Sequence, residues 1–189
     1  MTTFWGPDDD QMLAPATVLA GLRREVAAVY VRAMTCLGAL SLPSPDATAA
    51  FAAALAPVLR PGDALLLAGP IGAGKTHFAR ALIQARLPEA REVPSPSYTL
   101  VQTYGSGADT IWHADLYRLG DWSEVAELGL DEAFETAIVL VEWPDRLAEP
   151  PPEALMLTFA LGSEPEARHL TLEGPERWTE RLPVAVAHG

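Results

Sequence analysis

The sequence predicts an α/β fold with a central, largely parallel sheet, and three patterns support this prediction. Apolar runs within Asp63–Ala68 and Ala137–Val141 have the length and composition of buried parallel strands. Helical segments separate the strands, as expected when crossover helices join them. Near the C-terminus, Leu155–Leu161 and His169–Leu172 alternate apolar and polar residues, which predicts a closing antiparallel strand pair.

The other elements follow in order along the chain. Ser44, Pro45 and Asp46 form a helix-start pattern, with Pro at the first helical position and an acid in the first turn. This helix is predicted to continue to Leu59. Further helices are predicted at Lys75–Leu87, Trp122–Leu128, Asp131–Thr136 and Pro175–Leu182, and further strands at Thr99–Tyr104 and Thr110–Leu116.

Residues 1–40 differ from the rest and are predicted to be an N-terminal extension to a domain at 41–189. The first ten residues contain Trp, Gly, Pro and three Asp, which predicts a disordered or loosely docked start. A helix is predicted from about Thr17 to Leu37. Two interpretations stay open: an accessory helix, or upstream sequence included by an early start codon, since Met34 lies close to the start of the domain.

Composition limits the classes of function. The chain has 189 residues, 49% of them hydrophobic, which suits one globular domain. No segment approaches the roughly 18 uninterrupted apolar residues of a membrane span, and the single cysteine, Cys36, fits a reducing cytosol. We therefore expect a cytoplasmic protein with no membrane partner. A net charge of −12 disfavours direct binding to a nucleic-acid backbone, so any RNA is expected to be bound by a partner protein.

One segment identifies the class of ligand. Gly69-Pro70-Ile71-Gly72-Ala73-Gly74-Lys75-Thr76 matches the G-x-x-x-x-G-K-[ST] pattern and lies between a predicted strand and a predicted helix. Backbone N–H groups of such a loop surround phosphates, the lysine reaches the β- and γ-phosphates, and the Thr hydroxyl coordinates Mg²⁺. Of 13 basic residues Lys75 is the only lysine, which suggests a site that needs a compact ammonium. The fold prediction becomes a P-loop NTPase-like three-layer sandwich.

Strand ends supply two acidic candidates. Glu142 ends an apolar strand, where a carboxylate can contact Mg²⁺ directly or through water; the alternative is an exposed strand-end acid. Asp115 ends another strand and could face the γ-phosphate and the attacking water; the alternative is that it caps the following turn. The sequence leaves open which acid holds metal and which positions water.

Four segments, in this order and at these spacings, resemble the TsaE family of P-loop ATPases. They are the P-loop, Ser95-Pro96-Ser97-Tyr98-Thr99-Leu100-Val101, His113-Ala114-Asp115-Leu116-Tyr117-Arg118-Leu119, and the segment Glu142-Trp143-Pro144 that follows Gly129-Leu130-Asp131-Glu132. The resemblance covers about Leu40 to Gly162. The chain departs from the family pattern at Pro70-Ile71, where Asp-Leu is usual, at His77, where Thr is usual, and at Ala114.

The resemblance implies a set of site residues. It makes Lys75, Asp115 and Glu142 the catalytic residues, and Thr76 and Glu142 the Mg²⁺ ligands. ATP would be bound by Gly69, Pro70, Ile71, Gly72, Ala73, Gly74, Lys75, Thr76, His77, Thr99 and Trp143.

Several neighbouring residues have open alternatives. Thr99 is the favoured γ-phosphate contact in the segment Ser95–Thr99, which otherwise forms a proline-shaped turn. Trp143 either packs near the nucleotide or is simply core. Arg118 is an arginine finger or a structural ion-pair partner, and His113 is expected to pack or hydrogen-bond rather than act as a base.

The resemblance also implies a function. The chain would bind and hydrolyse ATP, weakly alone and faster with its partners TsaB and TsaD, in the threonylcarbamoyladenosine modification of tRNA, contacting tRNA only through that complex. Its switch-like segment would order around the γ-phosphate and relax after hydrolysis. Two other functions stay open: a P-loop small-molecule kinase, which needs an acceptor pocket with a base, and a nucleotide-gated binding module with little turnover.

Overall fold

The structure, a computed structural model, describes residues 34–120 and 122–183. Within these residues one sheet contains the strands β1 (Thr35–Leu42), β2 (Ala64–Ala68), β3 (Val101–Tyr104), β4 (Ile111–Asp115), β5 (Ile138–Glu142), β6 (Leu155–Leu161) and β7 (Arg168–Gly174).

The strand order is β1-β7-β6-β2-β5-β4-β3. The central strands β6, β2, β5 and β4 pair in parallel, whereas β1, β7 and β3 pair antiparallel with their neighbours. The prediction of a largely parallel sheet with a closing antiparallel pair, β6–β7, is confirmed.

Helices cover both faces of the sheet. They are α1 (Pro45–Leu55), α2 (Lys75–Arg86), α3 (Trp122–Ala126) and α4 (Leu130–Thr136). Because successive side chains of a strand point to opposite faces, β2 contributes Leu65 and Leu67 to the core beneath α1 and α2, and Leu66 to the core beneath α3 and α4. The predicted three-layer sandwich is confirmed.

The first helix begins as predicted and ends early. The Ser44 side chain accepts a hydrogen bond from the Ala47 N–H at 3.2 Å, and Pro45 occupies the first helical position. The α-helix stops at Leu55 and a 3₁₀ turn, Ala56–Val58, replaces its predicted last turn. Pro57 accounts for the difference, since it lacks the N–H that an α-helix would need there.

Two further elements differ from the sequence predictions. The strand predicted from Thr99 starts at Val101 because Leu100 adopts a left-handed conformation with φ of 64°. The predicted last helix is only a 3₁₀ turn, Glu176–Trp178, formed around a fully buried Trp178.

The chain before α1 also differs from prediction. Residues Thr35 to Leu37 are strand, not the end of a helix, because β1 pairs with β7 from Thr35 onward. The sheet therefore includes residues 35–40, and the division of the chain into residues 1–40 and 41–189 stays a prediction. The predicted loose start and the rest of the helix from Thr17 lie outside the described residues. No helix in the described part of the chain has the length and apolar character to cross a membrane.

Candidate nucleotide site

The G-x-x-x-x-G-K-T segment joins the end of β2 to the start of α2, at the edge where the parallel strands have their carboxyl ends. Gly69 has φ of 131°, and a Cβ there would lie 2.3 Å from the Phe159 carbonyl oxygen, so only glycine lets the loop pass β6. Gly72 and Gly74 also have positive φ, yet a Cβ on either would meet nothing within 4 Å. The loop is thus tight on its sheet side and open on its outer side.

Lys75 lies inside this loop. Its ammonium donates hydrogen bonds to the carbonyl oxygens of Gly69 at 2.7 Å and Pro70 at 2.9 Å, and lies 4.0 Å from the ring centroid of Trp143. Burial lowers the pKa of Lys75 from 10.5, and the negative charges of Glu142, Asp115 and Asp145 oppose that shift. The only lysine of the chain is a largely desolvated cation at the mouth of the loop.

Glu142 connects three elements. Its Oε2 accepts a hydrogen bond from the Thr76 hydroxyl at 2.8 Å, and its Oε1 lies 2.9 Å from His113 Nε2. Glu142 is 2% exposed and His113 is fully buried, so the alternative of an exposed strand-end acid is wrong. His113 is a hydrogen-bonding residue, as expected, and it fixes the side-chain orientation of Glu142 from the adjacent strand β4.

Asp115 is tied to the segment that follows α2. The Ser97 hydroxyl donates to its Oδ2, and Ser95 Oγ lies 2.7 Å from Ser97 Oγ. The Tyr117 N–H donates to Oδ1 at 3.1 Å. The carboxylate therefore does cap the turn after β4, and it also holds the Ser-Pro-Ser segment against the site.

Aromatic rings form the outer part of the site. The Trp143 and Tyr117 rings are 4.9 Å apart, and the Arg118 guanidinium lies 4.5 Å from the Tyr98 ring centroid. Within residues 34–120 and 122–183 no ion pair includes Arg118. A cavity of about 320 Å³ opens between these rings and the loop, lined by Ile71, Gly72, Lys75, Thr76, Ser97, Tyr98, Asp115, Tyr117, Arg118, Glu142 and Trp143.

The donors in this cavity fit a magnesium nucleotide. Open space over Gly72 and Gly74 leaves room for phosphates, and the dipole of α2 begins at Lys75. Thr76 and Glu142 offer oxygen atoms, the ligands that Mg²⁺ prefers. The described residues contain no group of three His, Cys, Asp or Glu side chains that could hold a metal alone. Such a site suits an ion that takes most of its ligands from phosphate and water.

Six residues predicted to bind nucleotide are not among the residues that line the cavity: Gly69, Pro70, Ala73, Gly74, His77 and Thr99. His77 places its Nε2 2.9 Å from the Pro45 carbonyl oxygen, at the start of α1. Thr99 has an exposed side chain, and Ser97, two residues earlier, lines the cavity instead. Pro70 faces Lys75 with its carbonyl. Their contacts with nucleotide stay predictions.

Sequence reasoning missed Arg168. Its guanidinium donates to the carbonyl oxygens of Gly72 and Ala73, both at 3.1 Å, although 96 and 95 positions separate them in the chain. No local motif marks an arginine at the start of the last strand, so only the sheet order reveals the contact.

Comparison with known proteins identifies the family. The family model of Threonylcarbamoyl adenosine biosynthesis protein TsaE matches residues 42–170. The chain belongs to the TsaE family. The resemblance found in the sequence motifs is therefore confirmed, and the matched range contains the P-loop, Asp115, Glu142 and Arg168.

Curated TsaE relatives carry the name tRNA threonylcarbamoyladenosine biosynthesis protein TsaE. The Rickettsia conorii protein is 42% identical over 105 residues, 56% of this chain and 60% of that protein. The Bacillus subtilis protein is 38% identical over 125 residues, 65% of this chain and 77% of the relative. The Streptomyces coelicolor protein is 36% identical over 132 residues, 66% of this chain and 88% of the relative.

A solved structure has the same fold. The crystal structure of YdiB from Bacillus subtilis superposes with a TM-score of 0.61 at 29% sequence identity, covering 79% of this chain and 90% of that one. This TsaE-family chain and YdiB therefore share the P-loop-like α/β architecture described above.

Proposed function

We propose that this TsaE-family protein binds MgATP in the cavity beside the P-loop and hydrolyses it in support of tRNA threonylcarbamoyladenosine modification. One observation supports this above the others: the hydroxyl of Thr76 and the buried carboxylate of Glu142 meet at 2.8 Å beside Lys75. A P-loop lysine, a hydroxyl and a strand-end carboxylate together make the donor set of an ATP-hydrolysing P-loop site.

Each side chain has a role in the proposal. Bound MgATP supplies the γ-phosphoryl group and a metal ion that neutralises phosphate charge. Backbone N–H groups of the loop and the Lys75 ammonium bind the phosphates. Thr76 and Glu142 would hold Mg²⁺, and His113 Nε2 keeps Glu142 turned toward Thr76. Asp115 orients the attacking water and accepts its proton at a carboxylate oxygen.

The aromatic residues and the Ser-Pro-Ser segment control access in the proposal. Trp143 and Tyr117 cover the apolar side of the cavity and exclude water from the phosphates. Ser97 connects Asp115 to the segment before β3, so a change at the γ-phosphate position is transmitted to that segment. This is a route by which hydrolysis alters the protein surface.

The proposed partners are TsaB and TsaD, in the cytoplasm. The net charge of −12 suits a protein that leaves tRNA contact to others. Exposed Ile71, Tyr98 and Tyr117 around the mouth of the cavity place apolar surface where a partner would sense the nucleotide.

Calorimetric titration of the purified chain with ATP and Mg²⁺, followed by phosphate-release assays, tests the nucleotide part of this proposal. We expect binding with slow turnover in the wild type and loss of binding in Lys75→Ala. Because the exposed, acidic loop residue Glu164 lies outside the cavity lining, Glu164→Gln is the matched control. Equal binding by Lys75→Ala would contradict the proposal. Transfer of phosphate to a small hydroxylated acceptor would favour a kinase instead.

A further inference from the structure

Arg168, the first residue of β7, donates hydrogen bonds to backbone carbonyls of the P-loop. Its Nε donates to the Ala73 carbonyl oxygen at 3.1 Å and its Nη2 to the Gly72 carbonyl oxygen at 3.1 Å. Its Nη1 donates to the carbonyl oxygens of Pro165 at 2.9 Å and Ala167 at 2.6 Å. The side chain thus joins the β6–β7 hairpin to two consecutive carbonyls of the phosphate-binding loop.

All four acceptors are neutral backbone carbonyls. Within residues 34–120 and 122–183 no carboxylate forms an ion pair with Arg168. Its charge is therefore not neutralised by a carboxylate partner and contributes a positive potential beside the loop. This potential has the sign that attracts an anionic ligand.

The peptide geometry carries the effect of Arg168 across the loop. In a planar trans peptide the carbonyl and the N–H point in opposite directions, so the Gly72 carbonyl shares a peptide with the Ala73 N–H. That N–H donates to the Pro70 carbonyl at 3.2 Å, and the same carbonyl accepts from Lys75 Nζ. Hydrogen bonds in series polarise and strengthen one another. The series that starts at Arg168 therefore ends at the Pro70 carbonyl, an oxygen that Lys75 also binds.

The other loop carbonyl bound by Arg168, that of Ala73, belongs to a peptide whose N–H lies on the side proposed to bind phosphate. The Ala73 carbonyl shares its peptide with the Gly74 N–H, which points away from Arg168 and precedes the first residue of α2. A cation on the carbonyl makes this N–H a stronger donor. Gly74 has φ of 101° and open space on its outer side, so its peptide orientation depends on contacts such as this one.

We infer that Arg168 is a positioning residue for nucleotide binding: by holding two successive P-loop carbonyls, it orients the loop amides that bind the phosphates. This inference deepens the proposed function and rests on it. A forked guanidinium can bind two carbonyls at once, whereas a lysine ammonium on a flexible stem does so poorly. The chain uses Lys75 inside the loop and an arginine behind it, in accordance with that difference.

The experiment compares Arg168→Gln, Arg168→Lys and the control Arg177→Gln. Arg177 also bonds a backbone carbonyl, that of Glu153, and it forms ion pairs with Glu153 and with Asp63, which precedes β2 at the end opposite the P-loop. We expect Arg168→Gln to raise the Kd for MgATP about tenfold, because the loop amides lose the support of the two carbonyl contacts that orient them. Arg168→Lys should fall between it and the wild type, and Arg177→Gln should match the wild type. In steady-state assays the change should appear in KM more than in kcat.

Residue-resolved amide hydrogen exchange of the nucleotide-free protein gives a second measurement. We expect exchange of the Ala73 N–H to accelerate several-fold in Arg168→Gln and not in Arg177→Gln, because its bond to Pro70 loses support. Unchanged Kd, or unchanged Ala73 exchange, in Arg168→Gln would overturn the inference. If that variant does not fold, Arg168→Lys with wild-type Kd and exchange would also overturn it.

These outcomes separate the inference from the proposed function. A wild-type chain that binds no ATP would contradict the proposed function. In that case the exchange of Ala73 still decides whether Arg168 holds the loop. A wild-type chain that binds ATP, with Arg168→Gln binding equally well, would contradict the inference alone.

Discussion

The Thr76 hydroxyl donates to Glu142 Oε2 at 2.8 Å, although the two residues lie 66 positions apart. The parallel pairing of β2 with β5 brings them together, because the P-loop follows β2 and Glu142 is the last residue of β5. The two oxygen atoms proposed to bind Mg²⁺ are therefore already in contact.

Glu142→Gln tests the role of this carboxylate. Glutamine keeps the size of the side chain and removes its charge, so we expect ATP hydrolysis to fall at least about 100-fold. The Kd for ATP should change much less, because the loop amides and Lys75 remain. Phosphate-release kinetics and calorimetry measure the two quantities. Hydrolysis within a few-fold of wild type would contradict the assignment of Glu142.

Ser97→Ala tests the contact between the Ser-Pro-Ser segment and the site. Removing the hydroxyl that donates to Asp115 should lower kcat about tenfold, the effect of one lost charge-assisted hydrogen bond. Ser95→Ala is the comparison variant: its hydroxyl lies farther from the same Asp115 oxygen, at 3.4 Å, so its removal should lower kcat less. The prediction fails if the two variants have the same kcat.

Trp178→Ala tests the stability of the C-terminal turn. Trp178 is fully buried and its Nε1 donates to the Glu153 carbonyl at 3.0 Å. Its removal should lower the free energy of unfolding by about 3–5 kcal/mol, measured by urea denaturation. Leu161→Ala, at a residue 58% exposed, should have little effect. A loss below about 1 kcal/mol for Trp178→Ala would show that the turn collapses to fill the space.

Glu173→Gln tests a pH dependence of stability. Burial raises the pKa of Glu173 above 4.5 in the folded protein. Between pH 4.5 and this higher pKa, the folded state therefore binds more protons than the unfolded state. The contribution of this group to stability is full below pH 4.5 and declines as the pH rises through the folded pKa. Glu173→Gln should therefore have a higher Tm than wild type at pH 7, and the difference should disappear near pH 4.

A matched variant isolates this effect. Glu164 is exposed in the loop between β6 and β7, so Glu164→Gln should leave the Tm difference from wild type near zero throughout the same pH range. A Tm gain for Glu173→Gln that is equally large at pH 4 and pH 7 would contradict the ionisation argument.

Local patterns predicted much of the fold. The apolar run of β2, the Ser44–Pro45 start of α1 and the P-loop all depend on residues adjacent in sequence, and the structure has them within a residue or two of their predicted ends. The predicted ends were wrong where the backbone of one residue does not fit the element that its side-chain pattern predicts. Pro57 made α1 shorter than predicted, and the left-handed conformation of Leu100 made β3 start later than predicted.

Long-range contacts could not be predicted in this way. The sequence suggested that Glu142 lies near the metal, but not that His113 would hold its other oxygen. Ser97 and Thr99 offer the same hydroxyl chemistry, and only the path of the segment distinguishes the residue that lines the cavity. Arg168 reaches the loop because β7 neighbours β6, which follows from strand order alone.

The most direct test of the proposed function is the rate of ATP hydrolysis by the purified chain with and without the proposed partners TsaB and TsaD, beside Lys75→Ala. We predict slow hydrolysis alone, a rate at least about tenfold higher with both partners, and no stimulation in Lys75→Ala. A wild-type rate unchanged by the partners, with ATP still bound, would contradict a partner-activated ATPase.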